Sequence, residues 1–111
     1  MARFWATALS RPVSERNTDE ILVRDPTGAS TPLYFMKVPE PKLTKNRLHL
    51  DVVTDGAMED EVRRLVDAGA TFIEARQDPD TLSNPDTWTV MHDPEGNEFC
   101  VTSTATLTGL T

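Results

Sequence analysis

The stretch HDPEGNEFCV, His92 to Val101, reads as a turn running into a strand. Pro94 fixes one backbone dihedral, Gly96 takes the left-handed one, and Glu98, Cys100 and Thr102 then alternate with Phe99 and Val101. The same punctuation occurs earlier, as RDPTG from Arg24 to Gly28. Each Asp-Pro-x-Gly turn is expected to close a β-hairpin, with PLYFMKV following the first and NEFCVTS the second.

Working outward from the turns, the same order of elements appears twice. PVSER and EILVR precede the first turn, and TFIEA and WTVMH precede the second, all rich in β-branched and aromatic residues between turn signals. A helix precedes each strand series. AMEDEVRRLVDA, Ala57 to Ala68, places Met58, Val62, Leu65 and Val66 on one face, with acids in the first turn after Asp55 and Gly69 just past the end. ARFWATAL, Ala2 to Leu9, puts Phe4, Trp5, Ala8 and Leu9 on one side, and Ser10 and Pro12 stop it. The second copy carries a longer loop, RQDPDTLSNPD, and a strand before its helix, RLHLDVV, from Arg47 to Val53. The first copy begins at its helix, and the linker PEPKLTKN joins the two.

The expected fold class is therefore α+β: two modules of strand, helix and three strands, the first lacking its opening strand, pairing around a concave pocket. The expected bounds are residues 1–39 for module one, 40–46 for the linker and 47–104 for module two, within a single domain of residues 1–111. A chain of 111 residues buries roughly two thirds of its unfolded surface, enough for an ordinary core.

Eleven basic against eighteen acidic residues give a net charge of -7, which argues against nucleic acid as a partner, because that affinity rests on clustered Lys and Arg. A single cysteine excludes an intrachain disulfide. The opening MARFWATALS has an apolar run too short for a secretory signal or a membrane span, so a cytoplasmic protein with no membrane partner is expected.

The segments FWATALSRPV, VPEPKLTKNRLHLDV and HDPEGNEFCV resemble the vicinal oxygen chelate superfamily, the group of glyoxalase I, bleomycin-resistance proteins and extradiol dioxygenases, and within it the glyoxalase-like branch. In its metal-dependent members the resemblance implies two ligands from each module, on first and last strands. Here the opening strand of the first copy is missing, and PLYFMKV holds no Asp, Glu, Asn, Gln or His; Met36 is a poor ligand for hard ions. In the second copy His49 falls at the family's histidine position. The closing carboxylate becomes Cys100, with Glu98 two residues earlier as a substitute. A catalytic zinc site needs three protein ligands in fixed geometry, so no metal or other cofactor is expected. His49 is read as a polar residue hydrogen-bonded to a neighbour such as Asp51, Cys100 as a small buried hydrophobe with no Lys or Arg evident nearby, and His92 as solvated.

Arg47, His49 and Asp51 alternate with Leu48, Leu50 and Val52, so the polar set is expected to face the concavity while the leucines pack under the second helix. The ligand-binding candidates are Tyr34, Phe35, Met36, Arg47, His49, Asp51, Trp88, Glu98 and Cys100, with Tyr34, Phe35 and Trp88 as aromatic walls. The first functional expectation is a metal-independent module that encloses a small organic ligand. The second is a lyase or isomerase with His49 or Glu98 as general base, metal-assisted across a dimer if at all. A third is a remnant with structure and little activity. The missing strand leaves backbone groups unpaired, so a homodimer is expected; the alternative is a native start upstream of Met1.

Overall fold

The computed structural model describes residues 1–15, 17, 19–78 and 86–103. The chain divides into two compact units, Met1–Leu43 and Thr44–Thr111. Two helices and two sheets make it an α+β protein. Among the described residues no helix is long and apolar enough to cross a membrane.

The first unit opens with α1 (Ala2–Ala8). Its end is set by backbone geometry: the Arg11 N–H donates to Ala6 O (2.8 Å) and the Ser10 N–H to Thr7 O (3.2 Å), with Ser10 at a φ of 54°. This is the left-handed stop in which glycine is the usual residue. Strands β1 (Val13–Glu15), β2 (Glu20–Val23) and β3 (Leu33–Met36) follow as an antiparallel sheet in the order β1-β2-β3. Ala2 and Ala6 sit against Val23, and Ile21, Leu33 and Phe35 pack on that cluster. Alanine has no side chain beyond Cβ, so the short helix lies close to the sheet. Phe4 and Trp5 are also buried and meet edge to face at 5.3 Å. The helix face read from the sequence thus lacked its two sheet-facing alanines, which the large residues beside them concealed.

The register fixes which way β3 faces. Ile21 pairs with Phe35 and Val23 with Leu33, so Phe35 packs, partly buried, on the α1 side of the sheet. Tyr34 and Met36 point to the opposite side and are exposed. Between β2 and β3 the RDPTG turn closes as expected, with the Gly28 N–H donating to Asp25 O (2.9 Å) and Gly28 at a φ of 73°.

The second unit runs β4 (Asp51–Thr54), α2 (Met58–Asp67), β5 (Thr71–Asp78), β6 (Asp86–His92) and β7 (Glu98–Ser103). The sheet order is β4-β7-β6-β5, with β4 parallel to β7 and the remaining pairs antiparallel. Glu59, Asp60 and Glu61 occupy the first turn of α2, where carboxylates offset the unpaired N–H groups, and Arg64 grips Glu61 at 2.6 Å. The helix ends with the Ala70 N–H on Leu65 O and the Gly69 N–H on Val66 O, both at 3.0 Å. It packs on β7 and β5. Fully buried Leu65, Met91, Phe99 and Val101, with Val52, form the core of this unit.

Three expectations need correction. Strand β4 begins at Asp51, not Arg47: in its register with β7, which starts at Glu98, Arg47 and Leu48 would fall opposite Gly96 and Asn97 in the turn. Leu48 and Leu50 are therefore 87% and 43% exposed, not packed under α2. Val66 lies at the margin of its helix face, 42% exposed, while Leu65 alone in α2 is buried. The loop RQDPDTLSNPD falls largely outside the described residues.

Candidate functional site

On β7 the side chains of Phe99 and Val101 enter the core, which turns Glu98, Cys100 and Thr102 to the other face of the sheet. The register extends that face across all four strands. Asp51 on β4 pairs with Cys100 on β7, Cys100 with Val90 on β6, and Val90 with Glu74 on β5. One step away in the strand direction, Val53 pairs with Thr102 and Trp88 with Arg76; on the other side His92 pairs with Glu98. The polar stripe of HDPEGNEFCV is one column of this face.

At its β4 edge three chemically different groups converge. A nitrogen of His49, a carboxylate oxygen of Asp51 and the thiol of Cys100 all lie within 4.8 Å of one another. His49 Nε2 is 3.4 Å from Asp51 Oδ1. Cys100 is buried; His49 and Asp51 are exposed, at 41% and 61% of their side chains. Further along the face Lys45 Nζ lies 3.9 Å from Glu98 and Arg76 Nε 2.9 Å from Glu74. Thr102 Oγ1 is buried and has no hydrogen-bond partner among the described residues.

Burial pushes the Cys100 thiol above its ordinary range, and the charges of Asp51 and Glu98 push it further; Arg76 opposes them and does not win. The sequence offers no cation close to Cys100, and it is the fold that brings up Arg76 from β5.

Of the residues singled out in the sequence, His49, Asp51, Glu98, Cys100 and Trp88 share this face of the second unit. Arg47 lies in the segment before β4 and is exposed. Tyr34 and Met36 occupy the outward face of the first unit's sheet, and Phe35 packs on that unit's core. Sequence reasoning took Asp51 as a pocket-facing ligand-binding candidate and a partner for His49, and missed it as a donor beside Cys100. The alternation His49-x-Asp51 already placed both on one face; the parallel register that adds Cys100 has no local signal. Glu74, Arg76 and Val90 were missed for the same reason.

The resemblance implies a metal, and the donors decide which kind fits. In the first unit β3 supplies Leu33, Tyr34, Phe35 and Met36, none of them a hard-ion ligand. The second unit supplies imidazole, carboxylate and thiol, each an established zinc ligand type. The set thus fits a thiophilic, borderline-soft divalent ion and not a calcium- or magnesium-like one.

A family model described as glyoxalase-like domain matches residues 1–102. Among solved structures, a glyoxalase/bleomycin resistance protein/dioxygenase family enzyme from Burkholderia phytofirmans PsJN is similar at a TM-score of 0.64 and 19% identity, over 93% of this chain and 87% of that one. A glyoxalase-related enzyme from Fulvimarina pelagi gives 0.64 and 17%, over 92% and 76%. A glyoxalase/bleomycin resistance protein/dioxygenase from Alicyclobacillus acidocaldarius gives 0.60 and 15%, over 90% and 77%. No curated protein matches the chain.

Proposed function

Because the chain belongs to the glyoxalase-like domain family of the vicinal oxygen chelate superfamily, we propose that it binds a small, partly apolar organic molecule on the Cys100 face of its second unit. The observation that carries this reading is the make-up of that face. Opposite the core, Asp51, Cys100, Val90 and Glu74 form one row, and Trp88 and Arg76 stand beside it. Binding sites combine apolar and aromatic surface with a few convergent polar groups, and this face supplies both. Trp88 receives the apolar body of the ligand, His49 and Asp51 hydrogen-bond its polar end, and Thr102 Oγ1 is a further group in need of a partner. A divalent ion, when bound, would be held by His49, Asp51 and Cys100, and would supply Lewis acidity toward a ligand oxygen.

Native mass spectrometry of protein purified without chelator tests the reading directly: retained added mass supports it. A fragment screen followed by nitrogen-15 NMR locates the site. The expected result is that binders shift the Trp88 indole and the Cys100 and Thr102 amides, while the Trp5 indole stays put. Binders that leave all three untouched would refute the assignment.

A second reading, catalysis of the lyase or isomerase type, is favoured by the His49–Asp51 pair, since a carboxylate 3.4 Å from an imidazole nitrogen orients the ring for proton transfer. Incorporation of solvent deuterium next to the carbonyl of a hydroxyketone probe, lost in His49→Gln, would select this reading over simple binding.

A further inference from the structure

We propose that the Asp55–Gly56 pair, in the turn between β4 and α2, is a site of isoaspartate formation in the folded protein. The inference rests on backbone chemistry and stands apart from the ligand proposed above.

The sequence singles out the pair. An aspartate carboxyl can be attacked by the backbone nitrogen that follows it, and a side chain on the next residue hinders the approach; glycine carries none. Asp55–Gly56 is the sole Asp-Gly pair in the chain, and no Asn-Gly pair occurs. Asp25, Asp78 and Asp93 are each followed by proline, whose nitrogen has no hydrogen to lose.

The fold leaves the pair free to react. Both residues are exposed, and they lie between regular elements. The last pair of the β4–β7 ladder is Thr54 with Ser103, just before them, and the first backbone bond of α2 runs from the Glu61 N–H to Ala57 O (3.2 Å), just after. A ring can thus close here without breaking a strand or helix bond. A Cβ placed on Gly56 would meet only Thr54 Oγ1, at 3.7 Å, so no packed neighbour confines the turn. One restraint is present: the Gly56 N–H donates to Thr54 Oγ1 (3.1 Å). It is a single exposed bond to a hydroxyl, and water replaces such a bond at little cost.

The chemistry balances without an added reagent. The Gly56 nitrogen, losing its proton, bonds to Asp55 Cγ; a carboxyl oxygen leaves as water, and a succinimide ring remains. Water then adds to the backbone carbonyl of that ring and breaks its bond to the nitrogen. The main chain now runs through Asp55 Cβ and Cγ, longer by a methylene, and the former backbone carbonyl is a free α-carboxylate. Mass and charge are unchanged. The connection between α2 and β4, the strand that carries Asp51, is lengthened.

The test incubates native, tag-free protein at neutral pH and digests it with trypsin after increasing times. Cleavage after Arg47 and Arg63 releases Leu48 to Arg63, which contains the pair. The expected result is a second form of this peptide, of identical mass and shifted retention. It should accept a methyl group from S-adenosylmethionine through an isoaspartate methyltransferase, and its electron-transfer fragments should place the isoaspartate at residue 55. Gly56→Ala should reduce it to the background of the other aspartates with circular dichroism unchanged, because that position has room for a Cβ. Absence of the second form from native protein, its appearance only in urea, or an equal rate in Gly56→Ala would overturn the proposal. Thr54→Val removes the acceptor hydroxyl and keeps the side-chain shape. Isoaspartate found in that variant and not in the wild type would show that the hydroxyl locks the turn, and would overturn the proposal as well.

Discussion

Asp51 and Cys100 are register partners across the parallel β4–β7 pair, and this pairing gives the second unit a buried thiol next to an exposed carboxylate. A carboxylate there has an electrostatic consequence as well as a coordinating one. It adds to the burial that already holds the thiol above its ordinary range of about 8.5.

In chelator-treated protein, the pH profile of Cys100 alkylation should thus have its midpoint above that of an unfolded-peptide cysteine. Asp51→Asn should move the midpoint down and Arg76→Ala should move it up. The midpoint reports the thiol irrespective of how slowly reagent reaches it. A raised folded value also sets the sign for stability. The folded state holds its proton more tightly, so this contribution is complete below the unfolded value and is lost as pH rises through the folded one. Midpoints that ignore both substitutions would refute the electrostatic account.

The two Asp-Pro-x-Gly turns look alike in sequence and should differ in weight. Asp93 is only 3% exposed, and its Oδ1 accepts from the Glu95 N–H (3.0 Å), the Asn97 N–H (2.9 Å) and Asn97 Nδ2 (3.1 Å). Removing that carboxylate leaves part-buried N–H groups without their acceptor, so Asp93→Ala should cost about 1–2 kcal/mol in urea unfolding. Asp25 makes the matching bonds to Thr27 in the open, and Asp25→Ala should cost clearly less. The Thr27 bonds also hold the Asp25 carboxyl below the usual carboxylate range. Its contribution is present above the unfolded value and is lost as pH falls through the folded one. Equal losses from the two substitutions would contradict this.

What could be read in the sequence follows from how far each interaction reaches. Pro26 with Gly28 and Pro94 with Gly96 act within four residues, so both hairpin turns were legible, as was α2 from its periodicity and Gly69. PLYFMKV was ambiguous because it is apolar on both alternating sets. Only the alanines of α1 decide that Phe35 turns inward. The extent of β4 depends on where β7 begins, a contact distant in sequence, so Arg47 and Leu48 could not be excluded from the strand. The Asp51–Cys100 pairing was invisible for the same reason, and with it the third donor.

Gly69 has a second role besides ending α2. Its φ is 121°, and a Cβ there would meet Pro94 Cγ at 3.4 Å. Gly69→Ala should cost on the order of 1–3 kcal/mol, from backbone strain before any crowding. Gly56→Ala is the control: that residue is not in the left-handed region, and its Cβ would meet only Thr54 Oγ1, at an ordinary 3.7 Å. It should fall within about 0.5 kcal/mol of wild type. Equal effects would show that the conformation at Gly69 is not the constraint.

The last expectation concerns assembly. Each sheet has two edge strands, and they are unequally protected. On β5, Glu74 and Arg76 and a break in register between Phe72 and Glu74 discourage another strand from pairing. Strand β3 carries Leu33, Tyr34, Phe35 and Met36, with no charge and no proline, and both Tyr34 and Met36 are exposed. An uncharged edge of this kind is a template for pairing with a second copy. Light scattering coupled to size exclusion should therefore give twice the chain mass of 12.4 kDa. Tyr34→Lys puts a charge on the exposed face of the edge strand and leaves the Phe35 side untouched. It should weaken self-association at least about tenfold, since edge lysines oppose strand pairing. A monomer at micromolar concentration would end the dimer proposal. A dimer indifferent to Tyr34→Lys would place the contact on another edge.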